Sequence, residues 1–116
     1  MNPTLMALLE IQDLRSKLRE LDETPDIEVE EFHVDLAVAR AQLEAKVDEL
    51  VGQLEPRVRR RYEQVASHRE RVVVPVLGGV CYGCFVSVAS ARVGEQAPNL
   101  ALQTCESCGR FLYFLA

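Results

Sequence analysis

Four cysteines constrain this chain more than any other feature of its sequence. The first C-x-x-C pair is Cys81 and Cys84, the second is Cys105 and Cys108, and twenty residues separate the two pairs. Each pair places two thiolates on one tight turn, and two such turns brought together give the tetrahedral S₄ shell that Zn²⁺ prefers. The spacing therefore predicts one structural zinc ion bound by all four cysteines.

A glycine supports each of the two cysteine turns. Gly83 lies inside the first turn, and Gly109 directly follows Cys108. A positive φ at Gly109 lets backbone N–H groups point at sulfur, and glycine adopts that conformation without steric cost. The local sequence therefore favours a metal-binding turn at both pairs.

Two C-x-x-C pairs also occur as a disulfide framework, as an iron-bound S₄ site and as redox-active thiols. Residues 1–9 lack the basic segment of a secretory signal peptide, so we expect a cytoplasmic protein, in which reduced thiols disfavour disulfides. A thioredoxin-like pair requires a βαβ setting, and the pattern of this chain shows no such alternation. Zinc is the favoured interpretation, while iron binding and redox use stay open.

The charge is divided unevenly along the 116 residues. Residues 1–55 carry fourteen acidic and five basic side chains, whereas residues 56–116 carry four acidic and eight basic ones. The apolar run over residues 72–80 is interrupted by Pro75, Gly78 and Gly79, and it is far shorter than the roughly 20 residues of a membrane helix. We therefore expect a soluble protein whose two halves differ in electrostatic character.

The acidic half predicts an antiparallel helical hairpin, of coiled-coil type, over residues 1–55. Residues 4–21 have apolar side chains at helical spacing after an Asn2-Pro3 start, and Pro25 interrupts this first helix. A second and longer helical pattern begins near residue 29. Its apolar stripe consists of Leu36, Leu43, Val47, Leu50 and Leu54.

The second helix is longer than the first, so part of its stripe lacks a partner within the hairpin. Burial of each such side chain is worth roughly 1.5 to 3 kcal/mol. Either the ribbon folds back onto this part of the stripe or another copy of the chain covers it, and a homodimer is the simplest closed solution. The pattern therefore predicts a homodimer formed through Leu43, Val47, Leu50 and Leu54.

The remaining sequence predicts a basic connecting helix over residues 56–71 and a β zinc ribbon over residues 72–116. Pro56 opens the helix, whose apolar face carries Val58, Tyr62 and Val65. Short β-rich runs at residues 72–77, 85–88, 100–104 and 111–115 predict strands, with a loop or short helix over residues 89–98. The predicted fold class is therefore α+β.

The C-terminal half resembles a known family. Pro56 and Tyr62, the sequence G-V-C-Y-G-C at residues 79–84 and the sequence C-E-S-C-G-R-F-L-Y at residues 105–113 are similar to the bacterial C4-type zinc-ribbon proteins with an N-terminal coiled-coil hairpin. Glu106 stands where that family usually has proline, and the hairpin here is shorter. The resemblance implies a zinc site on the four cysteines and a non-enzymatic role as an adaptor, a chaperone or a nucleic-acid-binding protein.

Catalysis is not expected. Catalytic zinc keeps a position open for water, and four thiolates leave none. Neither His33 nor His68 lies in the H-x-E motif of the zinc deaminases, so both are interpreted as surface or interface residues.

Two binding functions remain. An acidic hairpin with an uncovered stripe favours a protein-binding adaptor, and the DksA-type transcription factors share this general plan of hairpin and C4 zinc site. The arginines favour nucleic acid instead, with Tyr82, Phe85, Tyr113 and Phe114 as candidate stacking faces, although Phe85 and Phe111 are rather expected to fill the ribbon core. Pairing of the arginines with acidic groups of the hairpin is the favoured alternative. The candidate partner or phosphate contacts are Arg57, Arg59, Arg60, Arg61 and Arg110.

Overall fold

A computed structural model describes residues 2–23, 36–88 and 99–115 of the chain. Within these ranges three helices precede a small four-stranded sheet, which confirms the predicted α+β class. No helix in them is both long enough and apolar enough to cross a bilayer. The elements are α1 (Pro3–Glu23), α2 (Leu36–Gly52), α3 (Pro56–Ala66), β1 (Val73–Leu77), β2 (Val80–Cys81), β3 (Gln103–Thr104) and β4 (Phe111–Phe114).

Helix α1 begins where the sequence predicts. The Asn2 side chain accepts hydrogen bonds from the N–H groups of Thr4 (2.9 Å) and Leu5 (3.2 Å), which the first turn of a helix otherwise leaves unpaired. Pro3 follows at the first helical position, where its missing N–H costs nothing. The helix ends at Glu23, slightly beyond the predicted residue 21.

Helices α1 and α2 pack against each other in opposite directions. Asp22, near the end of α1, forms an ion pair with Arg40, near the start of α2. Leu5 and Leu8, at the start of α1, share a core with Leu50, near the end of α2. The segment between the helices, residues 24–35, lies outside the described residues, as does the predicted start of the second helix.

One apolar core joins all three helices to the sheet. Its buried members are Leu5, Leu8, Ile11, Leu50, Leu54, Tyr62, Val65, Val72, Val73 and Phe111. Leu50 and Leu54 are only 9% and 6% exposed, so the rest of the chain covers them, and of the four residues predicted to form the dimer these two are not available for it. Both leucines belong to one core with buried residues of α1, α3 and the sheet. The chain turns just before Pro56, so that α3 follows α2 back toward this core. Leu43 and Val47 remain half-buried.

Helix α3 is shorter than predicted. It ends at Ala66, whereas the predicted helix extends to residue 71. The Ser67 hydroxyl donates to the Gln64 carbonyl (2.7 Å), and the Ser67 N–H donates to the Glu63 carbonyl (3.1 Å). These bonds close the last turn before the extended, β-branched run that begins at Val72.

The sheet has one face toward the helices and one toward the cysteines. Its strand order is β2-β1-β4-β3, with β1 and β4 parallel and both outer pairs antiparallel. Because alternate residues of a strand point to opposite faces, Val73 and its partner Phe111 join the helix-facing core. The cysteine-facing core contains Val74, Val76, Leu112, Phe114, Cys81 and Cys105.

Three of the four predicted strand regions contain a strand, and the fourth does not. Residues 85–88 form only an isolated bridge between Ser87 and Val80. Phe85 has a φ of 60°, which lies in the left-handed region and cannot belong to a strand. The predicted loop or helix over residues 89–98 lies outside the described residues.

A single glutamine ties α1 to the first strand. The Gln12 Oε1 atom accepts hydrogen bonds from the N–H groups of Val72 and Val73, both at 2.8 Å, and Gln12 Nε2 donates to the Val73 carbonyl at 3.0 Å. Val72 and Val73 are buried, so water cannot replace this partner without opening the core. The sequence pattern gives no sign of this role, because Gln12 is an ordinary polar residue in a helix.

We expect Gln12→Ala to lower the free energy of unfolding by about 2 kcal/mol, because it leaves buried backbone N–H groups without an acceptor. Urea denaturation of the metal-loaded protein measures this change. Gln53→Ala is the control, since Gln53 is exposed at the end of α2 and its loss should cost less than about 0.5 kcal/mol. Equal denaturation midpoints for the two variants would contradict the assigned role.

Candidate metal centre

The four cysteine sulfurs have the spacing of a tetrahedral metal site. All four lie within 4.8 Å of one another, with 3.9 Å between the sulfurs of Cys81 and Cys108 and 3.7 Å between those of Cys84 and Cys105. A tetrahedron with metal–sulfur bonds of about 2.3 Å has sulfurs about 3.8 Å apart, whereas a disulfide requires about 2.05 Å. The four cysteines are free thiols, and their arrangement fits a bound metal ion.

The first pair is positioned by a two-residue β-hairpin. Leu77 in β1 pairs with Val80 in β2, and Gly78 and Gly79 between them have φ values of 58° and 76°. Two consecutive positive φ angles make the tight turn whose twist matches a hairpin, and glycine adopts them without strain. The turn thereby places Cys81, in β2, in the same core as Val74 and Val76 of β1.

The two cysteine turns have the same backbone hydrogen bonds. In the first, the Phe85 N–H donates to the Cys81 carbonyl (2.7 Å), and in the second the Gly109 N–H donates to the Cys105 carbonyl (2.9 Å). The residue after the second cysteine has a positive φ in both, 60° at Phe85 and 77° at Gly109. The positive φ predicted for Gly109 is therefore confirmed, and Phe85 holds the equivalent position in the first turn.

This shared conformation directs backbone N–H groups at sulfur. The backbone N–H of the residue two places after the second cysteine, Val86 in the first turn and Arg110 in the second, acts to lower the pKa of that cysteine, Cys84 and Cys108 respectively. Such bonds favour the thiolate form, which is the form that binds metal.

The thiols differ in how readily they ionise. Burial raises the pKa of Cys81, and it raises the pKa of Cys108 to about 12. Burial also acts to raise the pKa of Cys84, but hydrogen bonds from the Val86 N–H and from neighbouring side chains lower it to about 7. Metal binding must therefore displace protons from Cys81 and Cys108, whereas Cys84 ionises near neutral pH.

An arginine lies against a glycine in each cysteine turn. A Cβ added to Gly83 would lie 3.0 Å from Arg110 Cδ and closer still to the guanidinium, and one added to Gly109 would lie 3.2 Å from Arg61 Nη1. Arg110 is half-buried, and its Nε has no hydrogen-bond partner among the described residues. Two predicted partner contacts, Arg61 and Arg110, are thus neighbours of the metal centre.

Arginines of α3 and of the segment after it border two adjoining clefts. Arg57, Arg60, Arg61 and Gln64 border one cleft, and an adjoining cleft reaches Cys108 and Gly109 between Arg61, His68 and Arg69. The ion pairs in the described ranges are Lys17–Asp13, Arg40–Asp22 and Lys46–Glu49. The predicted pairing with acidic groups is therefore not seen for Arg57, Arg59, Arg60 or Arg61 among the described carboxylates. The acidic residues at 26–35, and His33 with them, lie outside the described ranges.

The aromatic side chain of Phe85 is exposed rather than buried in the ribbon core as predicted. It is 72% exposed, and its ring centroid lies 5.6 Å from that of Tyr82, itself 46% exposed. The left-handed backbone at Phe85 turns its side chain away from the sheet. Phe111 is 2% exposed, as predicted, while Phe114 is buried and Tyr113 half-buried. The sequence contains a signal for the left-handed backbone at Phe85. When the two C-x-x-C pairs are aligned, Phe85 occupies the position of Gly109, which has a positive φ.

No family model matches the chain, and no curated protein matches it either. Among solved structures, that of CT398 from Chlamydia trachomatis is similar, with a TM-score of 0.56 and 26% sequence identity. The match covers 81% of this chain but 41% of CT398, so the chain spans less than half the length of that protein. The likeness supports the fold described above, and the clustered cysteines fit a zinc-ribbon-like motif.

Proposed function

We propose that this chain is a non-enzymatic zinc-ribbon adaptor of the cytoplasm, in which a helical hairpin binds a protein partner and one structural Zn²⁺ stabilises the C-terminal sheet. The observation that carries the proposal is the single core shared by the helices and the sheet, in which Leu5, Leu50 and Phe111 are all buried. Through this core, the metal-bearing sheet holds the base of the helix pair in a fixed position.

Zinc is the metal that the site suits best. Four soft thiolates at tetrahedral spacing select zinc or iron, and a closed shell of four protein ligands is the usual form of a structural zinc site. The closed shell also leaves no coordination position for a reacting water, which supports a structural and not a catalytic role. Four free thiols suit the reducing cytoplasm.

We expect protein purified under reducing conditions to contain one zinc ion per chain, and Cys105→Ser to lose it. Binding should release at least two protons, from Cys81 and Cys108, because the pKa of each thiol is raised in the metal-free chain. Zinc affinity should therefore fall as the pH is lowered. Elemental analysis measures the stoichiometry, and calorimetry in buffers of different ionisation enthalpy counts the protons.

Gln53→Ala is the control for the metal experiment, since Gln53 is exposed just beyond α2, lies far along the chain from the cysteines and is not a ligand. It should retain one zinc per chain. Recovery of iron in place of zinc, or of no metal at all from the wild-type protein, would contradict the proposed zinc site.

A groove between α1 and α2 is the proposed surface for the protein partner. Its floor is apolar, with Leu14 and Leu21 from α1 and Ala39 and Leu43 from α2. Its rim carries Lys17, Glu20, Gln42 and Lys46. An apolar floor with a charged rim is suited to an amphipathic helix, from a partner protein or from a second copy of this chain. The predicted homodimer stays a prediction, now resting on Leu43 and Val47 instead of the full stripe.

We expect the double change Leu21→Glu and Leu43→Glu to abolish capture of the protein partner, because two carboxylates would then need to be desolvated on binding. Capture from nuclease-treated extract, with mass spectrometry, compares this variant with wild type. Met6→Glu is the control, since Met6 is an exposed apolar residue of α1 outside the groove and its change should leave capture intact. Equal loss in both variants would exclude the groove, and sedimentation velocity shows whether the occupant is a second copy.

Nucleic-acid binding is a second candidate function, favoured by a specific pair of observations. Arg57 and Arg60 line a cleft without an ion-pair partner among the described carboxylates, and Tyr82 and Phe85 present exposed rings. Arginine forks suit phosphate, and exposed rings stack on unpaired bases. A single-stranded nucleic acid is the ligand that uses both features.

If nucleic acid is bound, the change of Arg57 and Arg60 to Gln should flatten the slope of log affinity against log salt by about one per lost phosphate contact. Phe85→Ala should weaken binding by about 1 to 3 kcal/mol with the slope unchanged. Fluorescence anisotropy with labelled oligouridylate measures both quantities, and Arg19→Gln on α1 is the control. If the wild-type protein has no measurable affinity for the oligonucleotide, nucleic-acid binding is contradicted, and Arg57 and Arg60 are then candidate contacts for a protein partner.

A further inference from the structure

Two arginines lie beside the cysteine turns in a way that packing alone does not require. Arg110 covers the bare face of Gly83, and Arg61 reaches across from α3 to the bare face of Gly109. At Gly83 a side chain would displace the arginine, because even a Cβ there would collide with the guanidinium. Each cysteine turn therefore has one glycine whose missing side chain admits a positive charge.

The proposed zinc site supplies a reason for these charges. Zn²⁺ with four thiolates carries a net charge of about −2, and a partly buried anion is costly unless cations or hydrogen bonds offset it. The backbone N–H groups supply part of that compensation at Cys81 and Cys108. The buried Nε of Arg110, without a partner among the described residues, lies in the same region and has no other visible acceptor.

We propose that Arg110 and Arg61 offset the negative charge of the metal-bound thiolates and so slow the loss of the metal. The inference rests on the zinc site proposed above, and it removes both arginines from the set available to a partner or a phosphate. Arg110 has the larger effect because it is half-buried, whereas Arg61 is exposed and its charge is screened by water. Gly83 and Gly109 are the residues that let them approach.

The experiment measures the rate at which zinc passes from the loaded full-length chain to a chromophoric chelator at fixed pH. Arg110→Gln should accelerate release by about tenfold, the lower end of the range for groups that support metal ligands. Arg61→Gln should accelerate it by roughly threefold, because of the screening. Arg60→Gln is the matched control and should match wild type, since Arg60 lies on the same helix but against neither glycine.

Two further variants at Arg110 separate its charge from its shape. Arg110→Lys keeps the charge and should restore most of the slow release, whereas Arg110→Met keeps much of the length without the charge and should release zinc as fast as Arg110→Gln. The thiolate-to-metal charge-transfer bands of Co²⁺-loaded protein should be unchanged in all of them, which shows that the four ligands remain in place. Wild-type release rates in Arg110→Met would overturn the proposal.

Gly83→Ala tests the same idea with every charge retained. Gly83 does not have a positive φ, so alanine there is not strained by its backbone, and the three heavy atoms nearest to the added carbon all belong to Arg110. Displacement of the guanidinium should accelerate zinc release relative to Gly52→Ala, where the added carbon meets nothing. Equal rates for the two alanine variants would overturn the proposal even if the Arg110 variants failed to fold. Absence of zinc from the wild-type protein would instead contradict the zinc site itself.

Discussion

The close approach of four sulfur atoms is the constraint on which the C-terminal half depends. Sulfurs within 4.8 Å of one another cannot all be ionised without a cation, because neighbouring like charges raise each other's pKa. At Cys108 this conflict adds to burial, which is the larger cause of a pKa raised to about 12, and the neighbouring Cys81 and Cys105 thiols act in the same direction. A bound metal ion resolves the conflict by making all four thiolates favourable at once. A metal ion bound by both cysteine pairs would then hold the short strands β2 and β3 in place.

The sheet connects the cysteine cluster to the helices, because its strands contribute residues to the cores on both of its faces. Val74 and Val76 face the cysteines, while Val73, which directly precedes them, faces the helices, so one short strand contributes to two cores. Gln12 adds a polar link at the start of the same strand, where it pairs with the backbone of Val72 and Val73. Loss of order on the cysteine side would therefore uncover the helix-facing core. The helix pair and the metal site are coupled through β1.

The sequence predicts the features that local chemistry determines, and it fails where tertiary packing decides. The clustering of the four cysteines follows from their spacing, and the start of α1 follows from the capping residues Asn2 and Pro3. The burial of Leu50 and Leu54 depends on the path of the chain after Pro56, which an apolar stripe does not encode. The Gln12 bridge joins positions sixty residues apart, so no local pattern contains it. β propensity predicts a strand at Phe85, whereas its place in the cysteine turn requires a left-handed backbone.

The backbone conformation of Phe85 and its side chain have different explanations. The metal turn needs a positive φ after its second cysteine, and the second turn meets that need with Gly109 at no cost. The first turn instead places a phenylalanine there, which costs about 1 to 2 kcal/mol in backbone strain. This residue is 72% exposed and contributes little to the core, so neither metal binding nor folding explains it. The turn needs the positive φ but does not need a phenylalanine there, and a strained residue that glycine could replace is a sign of function. Tyr82 and Phe85 are therefore the exposed residues beside the cysteines on which the binding role proposed above makes its strongest claim.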